Sequence, residues 1–183
     1  MTRDEICSRS AAALATAIAG SSPLTRGVPT GGHPGRTPSA VTVVDVSVWV
    51  SRLVPQDVHH AASRRWLEEQ AAGGELVISP TLLLAEVAGA VSRRTGHSEL
   101  AHRAVQMLLR LTELRLVPLD SRLGRSAAQL AAEIGLRGAD AAYVATAHHL
   151  DVPLVTLDRE QQARAGRLVE VQSPGQRGGP FGR

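Results

Sequence analysis

The chain has 183 residues, a net charge of +3 and one cysteine, Cys7, which excludes an internal disulfide and a structural zinc site made of cysteines. No apolar run is long enough to span a bilayer, so we expect a soluble or peripheral protein, and the single cysteine fits the reducing cytoplasm, where we expect the protein to lie. All 20 basic residues are arginine, and the missing lysine excludes the usual forms of P-loop NTPases, receiver domains and haloacid-dehalogenase-like phosphatases.

The positive charge is concentrated at the two ends of the chain. Residues 41–171 contain 14 arginines and 15 acidic residues, whereas residues 1–40 contain 4 arginines and 2 acidic residues. Residues 172–183 contain 2 arginines and no acidic residue. The net charge therefore argues for no particular partner of the middle region.

The ends also differ from the middle in composition. Residues 21–40 are dense in Gly, Pro, Ser and Thr, which predicts a weakly ordered leader over residues 1–40. The alanine-rich stretch 11–19 has too few large apolar residues for a good secretory signal, and a frayed helix or a start codon placed too far upstream explains it better. Residues 172–183 are predicted to be a disordered tail, which leaves residues 41–171 as one domain.

The domain is predicted to begin with a buried strand. Residues 41–45 are mostly β-branched, as in a buried parallel strand, and Asp45 can cap a helix that begins near Ser47. A second helix is predicted over residues 57–72, between a cap at Asp57 and a pair of glycines that ends it.

The next strand and helix are predicted to follow each other directly. Residues 76–78 predict a strand, and Ser79 and Pro80 predict the first turn of a helix, with the serine as its cap. This helix is predicted to continue to Thr95, where Gly96 ends it.

The rest of the domain alternates in the same way. Helices are predicted over residues 98–113, 121–134, 139–150 and 158–165, and strands over residues 114–119, 154–156 and 168–171. Strands that alternate with helices predict an α/β fold, a three-layer α/β/α sandwich with a central parallel sheet. In such sheets, functional sites form at the carboxyl ends of the strands.

Four acidic residues are predicted to meet at that edge: Asp45, Glu86, Asp140 and Asp158. Taken singly, each aspartate can be a plain helix cap, because each stands where a helix begins. Glu86 lies in a helix that is apolar almost all round. A buried carboxylate there needs a partner, unless it faces a narrow exposed stripe of the helix.

Taken together, the four acids indicate a metal site. Carboxylates held together repel one another by roughly 4 kcal/mol per pair at about 4 Å and an effective dielectric constant of about 20. The chain has no lysine, and no arginine lies within one helical turn of Glu86, so a divalent cation is the simplest source of compensating charge. A ligand set made only of oxygen favours Mg²⁺ or Mn²⁺.

The segments that carry these acids resemble the PIN-domain family, in particular its VapC-like toxins. The segments are VVDVSVW, SPTLLLAEV, GADAAYVATA and PLVTLD, at residues 43–49, 79–87, 138–147 and 153–158. Each segment is weak by itself, but four in the family's order and at similar spacing are specific. The resemblance extends over about residues 41–171.

The resemblance implies a hydrolase that cleaves RNA phosphodiester bonds with the help of a divalent metal. It implies catalytic and metal-ligand roles for the four acids, with Asp45 and Asp140 as the shared metal core and Glu86 and Asp158 assisting. The RNA would be attacked in line by a metal-activated water.

Two further residues match the family's pattern, and two features of the chain differ from it. Ser47 and Thr156 match the family's hydroxyl positions near the metals, and the resemblance implies that they orient the ligands. Val46 stands where these toxins often have threonine, which is tolerable because Ser47 is kept. The leader is the second departure, since these proteins tend to begin almost at the first strand, and it puts the start site in doubt.

The resemblance also implies partners. A toxin of a type II toxin–antitoxin pair would bind a small antitoxin, which could block the acidic site by inserting an arginine. A homodimer is implied as well, with the helices around residues 98–111 and 121–134 as candidate seams. Tyr143 is predicted to be a core residue or a dimer contact.

Two other interpretations stay open. The same nuclease fold could serve RNA processing or DNA repair without an antitoxin, or it could be a catalytically inactive module that binds RNA or protein. The histidine pairs at residues 59–60 and 148–149 are not expected to bind metal, because adjacent helical residues point in different directions.

Overall fold

The computed structural model describes residues 41–175. Its elements follow the order β1 (Val41–Val44), α1 (Val46–Leu53), α2 (His60–Gly73), β2 (Leu76–Pro80), α3 (Leu82–Thr95), α4 (Ser98–Leu109), β3 (Leu114–Val117), α5 (Ser121–Ile134), α6 (Gly138–Leu150), β4 (Leu154–Val155), α7 (Arg159–Ala165) and β5 (Val171–Gln172). The predictions for the leader and for residues 176–183 of the tail lie outside these residues. None of the helices described is long and apolar enough to cross a membrane.

The five strands form one parallel sheet, with β1 at the centre of the order β3-β2-β1-β4-β5. Val41 stands opposite Leu76 of β2, and Val43 stands opposite Leu154 of β4. Strand β1 consists of β-branched residues only, as expected for a strand that has neighbours on both sides and helices on both faces. The predicted parallel sheet is confirmed.

Two apolar clusters cover the two faces of the sheet. Helices α1 to α4 pack on one face, against Val44 and Val155. Helices α5 to α7 pack on the other face, against Val43 and Leu154. Neighbouring residues of one strand thus serve opposite clusters, because successive side chains of a strand point to opposite faces. This arrangement is the predicted α/β/α sandwich.

The prediction that Ser79 and Pro80 begin a helix is wrong. Both residues belong to β2, which pairs with β3 through Pro80, and helix α3 begins at Leu82. The Ser79 hydroxyl donates to the carbonyl of Val44 at 2.7 Å and accepts from the indole nitrogen of Trp49 at 3.3 Å. Its oxygen therefore links β2 to β1 and α1, and does not cap a helix.

Asp57 does not cap helix α2, which begins at His60. Its carboxylate instead accepts from the Ser51 hydroxyl at 3.0 Å and from the His59 amide at 2.9 Å, and so stabilises the turn before the helix. The predicted glycine end is confirmed, since Gly74 has a φ of 69° after the last helical residue.

The remaining bounds differ from the predictions by a few residues at most. Helix α5 spans residues 121–134 as predicted, with Gly135 ending it. Helix α4 ends at Leu109, before the predicted end at residue 113. Strand β5 includes Gln172, one residue past the predicted end of the domain.

Candidate active site at the carboxyl edge of the sheet

Asp45 directly follows β1 and is the N-cap of α1, as predicted. The residue is 2% exposed, and its Oδ2 accepts from the Ser47 amide at 2.9 Å and from the Thr156 hydroxyl at 3.2 Å. Its Oδ1 is buried and has no partner among the described residues. Burial raises the pKa of Asp45, and hydrogen bonds from Ser47 and Thr156 oppose this effect only in part. Capping thus explains one carboxylate oxygen and leaves the other unexplained.

Ser47 and Thr156 hold the carboxylate of Asp45 between two elements. Their hydroxyl oxygens lie 3.4 Å apart. The Thr156 hydroxyl accepts from the amide of Asp158 at 3.0 Å, and the Ser47 hydroxyl accepts from the amide of Leu157 at 3.0 Å. The two hydroxyls therefore join the loop after β4 to the start of α1.

Glu86 is the fifth residue of α3, about one turn from the start of the helix. A helix that began at Ser79, as the sequence predicts, would have placed Glu86 about two turns in. Its half-buried carboxylate accepts a hydrogen bond from the hydroxyl of Tyr143, with 2.6 Å between Oε2 and the phenolic oxygen. Burial raises the pKa of Glu86, the bond from Tyr143 lowers it, and the charges of Asp45 and Asp140 raise it further.

Asp140 lies in the first turn of α6 and is half-buried. Burial, with further contributions from the charges of Asp45 and Asp158, raises the pKa of Asp140 to about 6, although Arg137 acts in the opposite direction. A carboxyl group that titrates so close to neutral pH is typical of functional sites, where like charges are held together.

Asp158 is the N-cap of α7, and its Oδ1 accepts from the amide of Gln161 at 2.9 Å. The plain-cap interpretation thus accounts for one of its oxygens. Gln161 is fully buried, and its side-chain amide donates to the carbonyl of Asp140 at 3.1 Å, while its Oε1 has no partner among the described residues. This glutamine joins the starts of α6 and α7. The sequence gives no signal for this role, because a glutamine in a short helix carries no recognisable pattern.

The four predicted acids lie at one edge of the sheet, but they do not converge on one point. Asp45 raises the pKa values of Glu86 and Asp140, and Asp158 raises that of Asp140, so their charges influence one another. Within residues 41–175, however, no three Asp, Glu, His or Cys side chains are grouped closely enough to hold one ion. Direct ligation of one ion by three of these acids would therefore require at least one carboxylate to move, whereas this finding does not bear on ligation by two of them.

The donor set nevertheless fits a hard divalent cation. It consists of carboxylate oxygens, which are the ligands that Mg²⁺ and Mn²⁺ prefer. A cation beside them would favour the ionised form of each acid and oppose the upward shifts of the pKa values. It would also provide a partner for the buried Oδ1 of Asp45.

A groove of about 430 Å³ runs beside the acids between α1 and α3. Ser47 and Glu86 line it, together with Arg93 and the apolar side chains of Val46, Val50, Ala85 and Ala90. Arg93 follows Glu86 by seven residues, which corresponds to about 10 Å along the helix axis. Its guanidinium lies over Gly89, where a Cβ atom would come within 2.9 Å of Nη1. The salt bridges among the described residues do not involve Arg93, so its charge is available to a ligand.

Tyr143 is the second functional candidate that the sequence analysis did not identify. Tyr143 was predicted to be either a core residue or a dimer contact, and it lies in the core. Its hydroxyl nevertheless reaches Glu86. Tyr143 follows Asp140 by three residues, and this spacing places both side chains on one face of α6. That spacing was the available signal in the sequence.

The parallel sheet between two helical layers, with acids gathered at its carboxyl edge, defines an α/β protein with a candidate cation site. A family model, the PIN domain, matches residues 42–168. The chain belongs to the PIN domain family, and the resemblance found in the sequence is confirmed. A search of curated proteins finds no match.

Solved structures with the same fold include toxins. VapC20 of Mycobacterium tuberculosis, a toxin that cleaves the sarcin-ricin loop, is 22% identical with a TM-score of 0.60, over 72% of this chain and 98% of that chain. FitAcB from Neisseria gonorrhoeae is 22% identical with a TM-score of 0.57, over 74% of this chain and 99% of that chain. VapBC2 from Rickettsia felis, bound to a DNA fragment from its promoter, is 14% identical with a TM-score of 0.57, over 73% of this chain and 98% of that chain.

Proposed function

We propose that this protein is a metal-dependent endoribonuclease that acts as the toxin of a toxin–antitoxin pair. The observation that carries the proposal is the acidic edge of the sheet, where Asp45 is buried with one unpartnered oxygen and its charge raises the pKa values of Glu86 and Asp140. Membership of the PIN domain family and a fold shared with a sarcin-ricin loop cleaving toxin support the assignment of RNA as the substrate.

Asp45 and Asp140 would hold a Mg²⁺ or Mn²⁺ ion, with Glu86 and Asp158 assisting directly or through water. When bound, such an ion supplies an activated water and stabilises negative charge on the scissile phosphate and the leaving oxygen. The carboxylates of this chain must be ionised to hold such an ion. Asp140, whose pKa is about 6, is mostly ionised above that pH even without an ion.

The other residues of the site have orienting roles in this proposal. Ser47 and Thr156 both engage Oδ2 of Asp45, through an amide at 2.9 Å and a hydroxyl at 3.2 Å, and this arrangement keeps Oδ1 available to a ligand. Gln161 ties the backbone of Asp140 to α7 at 3.1 Å. These contacts fix the two core acids without neutralising either charge.

We further propose that the RNA strand enters along the groove between α1 and α3. Its wall contains Glu86 and Ser47 of the acidic site and one basic residue, Arg93. An exposed arginine about 10 Å along the helix from Glu86 can bind a phosphate next to the one being cleaved. The scarcity of aromatic residues, 2% of the chain, argues against a binding surface based on base stacking.

A small antitoxin is the proposed regulatory partner. The fold shared with VapBC2, which was solved bound to DNA from its promoter, supports such a pair. An arginine of the antitoxin would complement this edge, because none of the four carboxylates forms a salt bridge with an arginine of residues 41–175. A short open reading frame beside this one, with a DNA-binding pattern, would favour this role over RNA processing without an antitoxin.

A homodimer remains part of the proposal, with α4 and α5 as candidate seams, and light scattering of the purified chain tests it.

The deciding experiment is cleavage of a mixed RNA pool by the full chain in Mg²⁺ or Mn²⁺, with a chelator control. Asp45→Asn is expected to reduce cleavage about a hundredfold or more, the scale of losing one preorganised electrostatic group. Asp120→Asn is the matched control, because Asp120 is also a helix cap, but it is exposed and its carboxylate accepts from the amides of Arg122 and Leu123 in its own helix. It should cleave like the wild type.

The alternatives are outcomes of the same experiment. Cleavage that survives chelation or the Asp45→Asn change would reject the metal-dependent mechanism. A folded protein free of any co-purified inhibitor that cuts no RNA in either metal would instead be an inactive binding module.

A further inference from the structure

The hydroxyl of Tyr143 makes a contact that its packing does not require. Tyr143 is 0% exposed and lies in the apolar cluster formed by α5, α6 and α7, where a phenylalanine ring would fill the same space. Its hydroxyl donates to Oε2 of Glu86 at 2.6 Å, a length typical of a hydrogen bond to a charged acceptor. Within residues 41–175 this is the only hydrogen bond made by either side chain.

This bond connects elements on opposite faces of the sheet. Helix α3, which carries Glu86, buries Leu83 and Val87 in the cluster on one face. Helix α6, which carries Tyr143, belongs to the cluster on the other face. The bond therefore passes across the carboxyl edge, where Asp45 lies. Asp140 stands one turn before Tyr143 on α6, so one helix face presents an acid of the proposed metal core and the donor that holds a second acid.

Glu86 needs such a restraint. A glutamate has three rotatable side-chain bonds, and Glu86 borders a groove into which the carboxylate could swing. It also lies near like charges, since Asp45 and Asp140 both affect it. With one oxygen held by Tyr143, the other remains free for a ligand. A hydrogen-bond donor that orients a carboxylate ligand in this way typically changes metal affinity by about 10- to 100-fold.

We propose that Tyr143 is a positioning residue, whose hydroxyl reaches across the sheet edge to hold Glu86 in the orientation in which it contributes to binding a divalent cation. The inference rests on the proposed function, since it assumes that Glu86 serves a metal. It assigns Tyr143 no contact with the metal or with RNA.

The test is a titration of the full chain with Mn²⁺, followed by calorimetry, in the absence of RNA. Tyr143→Phe keeps the ring and removes the hydroxyl, and it should weaken Mn²⁺ binding by about 10- to 100-fold. Thr146→Val is the matched control. It removes another buried hydroxyl of α6, which among residues 41–175 bonds only to the carbonyl of Ala142 at 2.7 Å. It should leave Mn²⁺ affinity within about twofold of wild type.

A double-mutant comparison separates positioning from a general structural effect. In a Glu86→Ala background the further change of Tyr143→Phe should alter Mn²⁺ affinity by less than about twofold, because the tyrosine acts through the glutamate. An equal loss in both backgrounds would overturn the inference, as would wild-type affinity in the Tyr143→Phe protein.

Two further readouts keep the result decisive. If Tyr143→Phe does not fold, as judged by circular dichroism, Glu86→Asp replaces it. The shorter side chain keeps the charge but cannot reach the hydroxyl, so it should lose a similar affinity, and wild-type affinity would again overturn the inference. A folded wild-type protein that binds no Mn²⁺ overturns the proposed function itself, and the inference with it.

Discussion

The apolar interior and the carboxyl edge of the sheet follow opposite physical rules. In the interior, residues such as Leu83, Val87 and Leu108 are almost fully buried among other apolar side chains. At the edge, acids of the same sign influence one another, and the pKa values of three of them are raised. Two of the three buried polar side-chain atoms without a partner in residues 41–175 belong to the edge, namely Asp45 Oδ1 and Gln161 Oε1.

This contrast indicates that the interior stabilises a site that is unfavourable by itself. Local agreement between packing, hydrogen bonding and charge is the rule in folded proteins, and violations concentrate at functional sites. The edge can keep unpaired oxygens and repelling charges because two apolar clusters hold the ends of the strands in place. Substitutions in the two regions should therefore change different quantities.

The largest expected effect on stability belongs to the interior. Leu108→Ala, at a residue with 1% exposure, should reduce the free energy of unfolding by about 2–5 kcal/mol, because it removes buried apolar contacts and leaves a cavity. Denaturation with urea measures this loss. Under conditions where the variant is folded, its Mn²⁺ affinity should match that of wild type. A weakened affinity would mean that the two regions are not separable.

The groove offers the next test, through the salt dependence of RNA binding. Arg93→Ala in the Asp45→Asn background should weaken binding of a short single-stranded RNA. The slope of log affinity against log salt concentration should become less steep by about 0.7, as for the loss of one phosphate contact. Arg94→Ala is the control, since Arg94 is the adjacent exposed residue and does not line the groove. Unchanged RNA binding with weaker binding of a co-expressed antitoxin would assign the groove to the protein partner.

The smallest effect concerns the charge of Asp140 in protein without metal. Its pKa is raised to about 6, first by burial and then by Asp45 and Asp158, whereas an aspartate in an unfolded chain titrates near about 3.9. Between these values the folded state binds a proton that the unfolded state does not. This group therefore destabilises the fold increasingly as the pH rises from about 4 to about 6, and continues to do so above that range.

Asp140→Asn removes this penalty. The variant should melt at a higher temperature than wild type at pH 7.5, and the two melting temperatures should converge as the pH approaches 4. Thermal unfolding followed by circular dichroism, with a chelator present, measures the difference. A difference that does not depend on pH would contradict the raised pKa of Asp140. Saturating Mn²⁺ should stabilise the wild type more than the variant.

Much of the architecture was predictable from local patterns. Helix α5 was located to the residue, because Gly135 provides a clear end and its apolar spacing is regular. The central strand was found from its run of β-branched residues, and Asp45 was placed at its end. The start of α3 was predicted wrongly because of a tertiary partner. Ser79 and Pro80 have the composition of a helix start, but pairing with β3 extends the strand through them.

The candidate site divides in the same way. The sequence alone determined the parallel α/β order and which acids follow the ends of strands. Hydrophobic periodicity, helix caps and helix-ending glycines are local signals, and each is encoded within a few residues. Their roles as metal ligands remain a prediction. Only the tertiary structure decided that Tyr143 holds Glu86, 57 residues away along the chain, and that Gln161 ties α7 to the start of α6. Such pairs depend on how two helical layers meet over one sheet edge, and no local interaction along the chain encodes that distance.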